Sequence, residues 1–323
     1  SDLDKYRNMI DQLDFRLQTI NKFIVDNNID LKKVDYFIGR GGLLKPVPSG
    51  LYDVNQKMTE DLKSARYGEH SSNLGALIAY RFAKKYKKRA FIIDPVCVDE
   101  LEPVARISGY PVIERTTAFH ALNQKRVARR ASKELEKKYE EVNLIVAHMG
   151  SGVSIGLHKN GKVIDVNNAL IGEGPFSPER SGGLPVGPFL RYVFENKLSY
   201  QESIKMISSH GGIYAYLGTN NFSKVMEIYN TGEDKKVKVV IGAMAYQISK
   251  YIASMAVPVS GKIDGVILTG GLANSDVFVS LIKPKIEFIS EKIFVYPGQD
   301  ELSAMAEGVL LGLNKEIKIL EYK

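Results

Sequence analysis

Residues 143–168, NLIVAHMGSGVSIGLHKNGKVIDVNN, constrain the fold more than any other stretch. An apolar run over 144–147 reaches His148 and breaks into Gly150-Ser151-Gly152. A second alternating run follows, Asn160-Gly161 turns the chain, and a third run begins. Asn-Gly between alternating apolar residues is a strong hairpin signal. A strand that ends in glycines and returns as a hairpin differs from the strand, glycine loop and helix of the common nucleotide-binding units. G-x-x-x-x-G-K-[ST] is absent, and G-x-G-x-x-G fails because Gly156 comes one residue too late. The glycines can still bring backbone N–H groups close to an anion, because no Cβ stands in the way. Taken alone, they read more simply as a plain hairpin entry.

Strand and helix periods alternate through the rest of the chain. Strand patterns fall at 34–38, 90–93, 266–268 and 293–296, and helix patterns at 56–67, 72–86, 118–139, 274–284 and 301–315. Most of 189–256 is helical in period and poor in β character. Such alternation predicts an α/β fold with mainly parallel central strands. In such folds ligands sit at the C-terminal ends of strands. Arg40 in IGRGG, Asp94 in IIDPV, His148, and Gly270-Gly271 all fall at strand ends. A chain of 323 residues is long for one core, so two domains are expected.

The net charge of +7 could suggest nucleic acid. The bases cluster at 84–89, 124–130 and 133–138, two of these runs in helix-like stretches whose other faces are apolar or acidic, and we read them as solvated helix faces. Neither nucleic acid nor a membrane is expected as a partner. No apolar run approaches the roughly 20 residues of a membrane span, and residues 1–15 do not read as a secretory signal. Cys97 is the single cysteine and cannot form an internal disulfide, which fits a reducing cytoplasm. The five histidines show no His-x-x-x-His spacing, so zinc is not indicated.

Three further loops carry chemistry. TGGLANS, 269–275, joins a buried strand to a helix through two glycines and suits nucleotide phosphate or ribose. GEGPFSPERSGG, 172–183, is a long Gly/Pro loop with one arginine, Arg180, whose fork suits a carboxylate or phosphate. Pairing of Arg180 with Glu179 or Glu173 on a surface loop is the plain alternative. Arg40, Asp94 and His120 could each be structural, as a surface arginine, an N-cap and a buried neutral histidine.

Taken in order, GRGGLLKPVPSG, IIDPV, RISG, FHALNQKRVARR, AHMGSGVSIG, GEGPFSPERSGG, ILTGGLA and DELSAMAEG resemble the acetate and butyrate kinase family, of the actin and sugar kinase superfamily. The resemblance covers almost the whole chain and is closest to the butyrate kinase branch. It implies two actin-like, ribonuclease H-like domains with a cleft between them. Domain I, on the carboxylate side, would comprise 1–98 with 301–323, and domain II, which binds nucleotide, 99–300. It implies ATP-dependent phosphorylation of a short-chain fatty acid, butyrate or isobutyrate, to the acyl phosphate, with ATP/ADP and Mg²⁺, in a homodimer.

Residue by residue, the resemblance puts His148, Gly150, Ser151 and Gly152 in the second phosphate loop and Gly270 and Gly271 in the adenosine motif. Arg40 and Arg180 would flank the carboxylate and the transferring phosphoryl group. His120 would donate to that group, Asp94 would orient the metal or the attack, and Asp300 and Glu301 would serve magnesium. Gly42 stands where the acetate branch has a valine, and with Phe119 and Ile171 it would wall the acyl pocket. On that expectation the glycine leaves space for a longer acid, each buried CH₂ contributing about 0.8 kcal/mol.

One departure from the family pattern is that its first strand and first phosphate loop are missing at the start of this sequence. A segment absent from the sequence as given is the simpler explanation, since the other motifs are intact. The alternatives are an acetate or propionate kinase, or an ATP-binding actin-like protein without catalysis.

Overall fold

The computed structural model describes residues 5–323. The chain divides into two compact units, residues up to Asp99 with Asp300–Lys323, and Glu100–Gln299. Elements are numbered along the chain. The first unit opens with α1 (Leu13–Asp26), β1 (Tyr36–Ile38), β2 (Leu51–Asp53), α2 (Gln56–Lys63), α3 (Asn73–Tyr86) and β3 (Arg89–Ile93). The second contains α4 (Pro103–Arg106), α5 (Ala121–Glu134), the hairpin strands β4 (Asn143–Met149), β5 (Val153–Lys159) and β6 (Lys162–Val166), then α6 (Val186–Glu195), α7 (Tyr200–Ser208), α8 (Gly212–Leu217), α9 (Phe222–Thr231) and α10 (Lys235–Ser254). It closes with β7 (Gly265–Gly270), α11 (Asp276–Ile282) and β8 (Ile293–Pro297), after which α12 (Glu301–Leu313) and β9 (Ile319–Glu321) return to the first unit.

The sheet of the second unit has the order β6-β5-β4-β7-β8. β4, β7 and β8 are parallel, while β5 and β6 fold back antiparallel as the hairpin signal predicts. Asn160 and Gly161 both take positive φ, 52° and 74°, the backbone that a two-residue hairpin turn requires. β4 and β7 are buried along almost their whole length, as strands covered on both faces must be. One face packs on α10 and α11 through Ile145, Ile241, Met244, Ile248 and Phe278; the other packs on α5 through Val127, Ala128 and Ala131.

The first unit carries a smaller sheet, β1-β3-β2-β9, against which α2 and α3 bury Met58, Leu62, Leu74 and Leu77. Two of its strands, β2 and β9, have no counterpart in the sequence reading. Each has three residues and no alternation long enough to register. Tyr322, just beyond β9, is buried; its hydroxyl donates to Asp61 at 3.0 Å, and its carbonyl accepts from Asn55 Nδ2 at 2.6 Å.

The basic run at 124–130 is not simply a solvated face. Lys125 is only 1% exposed, with Nζ donating to Glu100 at 2.6 Å and to the Gly161 carbonyl at 2.9 Å, so this cation belongs to the interior of its unit. Among the described residues no helix is long and apolar enough to cross a membrane.

Candidate active site

In the second unit the ends of β4 and β7 meet. Gly270 has φ +90°, and a Cβ there would stand 2.5 Å from the Met149 carbonyl oxygen, so only glycine lets the two strand ends lie this close. A Cβ on Gly271 would meet nothing within 4 Å, which leaves the turn after β7 open. Between β4 and β5, the Gly150 N–H donates to the Gly152 carbonyl at 2.9 Å. That donor is spent within the loop in this conformation, contrary to the role expected of it toward phosphate.

The long 172–183 loop is tied to this hairpin. Ser177 Oγ donates to the Ser151 carbonyl at 2.5 Å and accepts from the Arg180 N–H at 3.1 Å. The loop thereby lays the Arg180 side chain on Gly152. An ideal Cβ at Gly152 would sit 1.4 Å from Arg180 Nη1, so the glycine is the space that the guanidinium fills. Arg180 Nε is buried and has no hydrogen-bond partner among the described residues. Burial draws the Arg180 pKa down, and the nearby Glu179 charge opposes that only in part. A buried cation with an unused donor, beside a glycine loop at a strand end, is a place for an anion.

Two histidines lie beneath the same loop. His120, at the start of α5, stacks on His148 with ring centroids 3.8 Å apart and planes 12° from parallel. His148 is 1% exposed, and its Nδ1 lies 2.7 Å from Asn123 Oδ1. It supports the loop from inside and does not line its surface. His120 is half-buried, with Nδ1 2.9 Å from Ser154 Oγ. Asn123, Gln124, Ser154 and Ser177 were missed by sequence reasoning. The signals existed: Asn123 and Gln124 follow His120 by three and four residues on one helix face, and a symmetric hairpin about Ser151 places Ser154 opposite His148. Phe119 is buried, whereas Ile171 is 48% exposed.

In the first unit, Arg40 forms an ion pair with Glu301. Asp300 caps α12, accepting from the Ser303 N–H at 3.1 Å. Asp94 follows β3 with φ 40°, a strained backbone for a residue other than glycine, and its Oδ1 accepts from Ser49 Oγ at 2.6 Å and the Gly50 N–H at 2.9 Å. The expectation for Gly42 needs correction. A Cβ there would lie 2.3 Å from Asn73 Oδ1 and 2.5 Å from Asn73 Cα, so the missing side chain leaves no vacant space. Gly42 is small because α3 begins against it, and pocket width does not follow from its size.

The donor sets can be tested against the groups that they were expected to hold. The Arg180 guanidinium over Gly152, with its unpartnered Nε, fits a phosphate group. For magnesium, Asp300 and Glu301 offer two carboxylates on consecutive residues, and among the described residues no cluster of three or more metal-ligating side chains exists. Two carboxylates suit Mg²⁺, which takes one or two from protein and the rest of its shell from phosphate and water. They would not suit zinc.

The acetokinase family model matches residues 111–293. Over 322 residues, covering 100% of this chain and 90% of the relative, the sequence is 49% identical to butyrate kinase 2 of Clostridium acetobutylicum, and it is 48% identical to butyrate kinase 1 of the same organism with the same coverage. Among solved structures it is similar to acetate kinase of Porphyromonas gingivalis, at a TM-score of 0.80 and 18% identity, over 93% of this chain and 84% of that one. A propionate kinase from Francisella tularensis matches at 0.73 and 21% identity, over 90% and 82%.

Proposed function

The chain belongs to the acetokinase family, and from that premise we infer that it phosphorylates a short-chain fatty acid on its carboxylate, using ATP and releasing ADP. The observation that carries this reading is Arg180, a buried guanidinium with an unused donor, laid on the glycine loop at the end of β4. Butyrate as the acid rests on the 49% identity with a butyrate kinase and no longer on Gly42. We assign the nucleotide to the second unit and the carboxylate to the first.

In the reaction a carboxylate oxygen attacks the γ-phosphorus, an O–P bond forms, and the bond to the β-phosphate oxygen breaks with its electron pair leaving on ADP. No proton need move, because the nucleophile is already an anion. What the protein must supply is alignment, and positive charge for the equatorial oxygens of the transferring group. Arg180 supplies that charge and His120 a hydrogen bond, Arg40 exchanges Glu301 for the substrate carboxylate, and the turn after Gly270 takes the adenosine end. Asp94 keeps the turn at Gly50 in place beside its own strand end. Asp300 and Glu301 would hold Mg²⁺, which when bound neutralises charge on the phosphate oxygens.

The test is acyl phosphate formation, trapped as the hydroxamate, with butyrate, isobutyrate and acetate, ATP and Mg²⁺. Butyryl phosphate formed faster than acetyl phosphate, with at least about a hundredfold loss in Arg180→Ala, is the expected result. Faster acetyl transfer would make the protein an acetate kinase; no transfer from a folded chain that binds ATP would make it a binder only. A second copy of this chain is the partner we infer for α6 and α7, in which no residue is buried. Sedimentation at twice the protomer mass is the check.

A further inference from the structure

Behind His120 runs a chain of fully buried side chains whose hydrogen-bond directions can be worked out atom by atom. Gln124 Nε2 lies 3.0 Å from the Ser154 carbonyl, which can only accept, and this fixes the orientation of the Gln124 amide. Its Oε1 therefore faces His158 Nε2, at 3.1 Å, and that nitrogen must carry a proton. His158 is wholly buried, and burial together with the charges of Lys125 and Arg129 holds it well below its ordinary pKa, so the ring is neutral. Its Nδ1 is then bare and accepts from the Tyr139 hydroxyl at 2.7 Å. A Cβ at Gly156 would stand 2.6 Å from Gln124 Oε1, so glycine at that position of β5 makes room for the amide.

On the other side of Gln124, the same Nε2 donates to Ser154 Oγ at 2.8 Å, and the His120 N–H adds a longer contact at 3.5 Å. With both of its accepting positions used, the Ser154 hydroxyl has only its proton to offer His120 Nδ1, 2.9 Å away. A protonated Nδ1 would face an oxygen with nothing left to accept it.

We propose that Ser154 and Gln124 are positioning residues that hold His120 as the neutral imidazole protonated on Nε2, so that the histidine always presents a donor and never a bare nitrogen. This rests on the reading of His120 as the donor to the transferring phosphoryl group. Rotation or tautomer exchange would turn a lone pair toward an anion. The chain His158, Gln124, Ser154 forbids it, because reversing any one bond leaves a buried donor facing a donor or an acceptor facing an acceptor. His148, stacked on the opposite ring face, blocks tilting.

The experiment is nitrogen-15 NMR of the whole protein labelled in its imidazole rings, with steady-state kinetics of Ser154→Ala and His120→Ala. In the unsubstituted protein we expect His120 protonated on Nε2 and bare on Nδ1. In Ser154→Ala we expect exchange between tautomers and a fall in kcat of about 10- to 1,000-fold, below the ~10⁴ of a fully wrong tautomer, with KM for ATP and for the acid changed less than about threefold. A His120 signal protonated on Nδ1 in the unsubstituted protein overturns the proposal, whatever becomes of the variant. So does a folded Ser154→Ala enzyme with unchanged kcat, if His120→Ala is impaired. If His120→Ala keeps full kcat while the Nε2–H assignment holds, the proposed role of His120 fails and its fixed tautomer stands.

Discussion

Gly152 is small for the sake of a residue 28 positions away in sequence, since the Arg180 guanidinium lies where its side chain would be. That makes the two separable by experiment. In Gly152→Ala the methyl displaces chiefly the end of one arginine side chain, with the Ala169 carbonyl 3.2 Å away needing to give by a few tenths of an ångström. Transfer should fall about 10²- to 10³-fold, while unfolding free energy shifts by less than about 1 kcal/mol; a matched loss of both would show that Gly152 serves folding. Gly42 has the opposite character. Its Cβ would strike the Cα of Asn73, which cannot swing aside, so Gly42→Ala should cost about 1–3 kcal/mol in urea unfolding through overpacking. Both glycines look alike in the sequence. Arg40, Asp94 and His148 stood out in the sequence because polar residues at strand ends are few and stand apart from the apolar runs, whereas His120 and Arg180 were singled out from a helix start and a Gly/Pro loop. The reason for each glycine was not legible, because it depends on an atom brought near by the tertiary fold.

At the level of elements, β5 has two functions along one strand. Ser154 faces the histidines, while His158, four residues on and on the same side, lies sealed against Tyr139 and Gln124. The buried ring has a thermodynamic signature. In the unfolded chain His158 takes a proton near pH 6.5, and in the folded chain it does so only well below that. The unfolded state thus binds the extra proton between those limits, so stability is complete above about pH 6.5 and declines as pH falls below it, by at most about 1.4 kcal/mol per pH unit. Denaturant unfolding of the protein and of His158→Gln between pH 5 and 8 should show a shallower pH slope in the variant; parallel slopes would mean that the ring is charged inside the fold. The hairpin β4–β5–β6 was readable from Asn160-Gly161 and the alternation around it. β2 and β9 were not, because a three-residue strand carries less pattern than a turn and gains its place from the neighbours that pair with it.

The whole molecule has separate interiors. The large clusters around β4 and β7 draw only on residues of the second unit, and the cluster around α3 only on the first. The second unit is one uninterrupted stretch with both faces of its sheet covered. Residues 100–299 made alone should therefore unfold in a single cooperative transition, followed by circular dichroism; a broad, probe-dependent loss of structure would show that this unit depends on the other. The two-domain count could be anticipated from length. The crossing points near Asp99 and Asp300 could be placed only by resemblance, because nothing in composition marks them.

The position of β9 sets an order of events during synthesis. The parallel partner of β2 is made some 270 residues after it, with Tyr322 as the plug that reaches Asp61 and Asn55. The second unit can fold as it emerges, while β2 waits with one edge unpaired. A polypeptide cut short of β9 would carry all the residues of the second unit but leave β2 without its parallel partner. An unpaired β2 edge is the kind of surface that chaperones and proteases recognise, and β9 removes it.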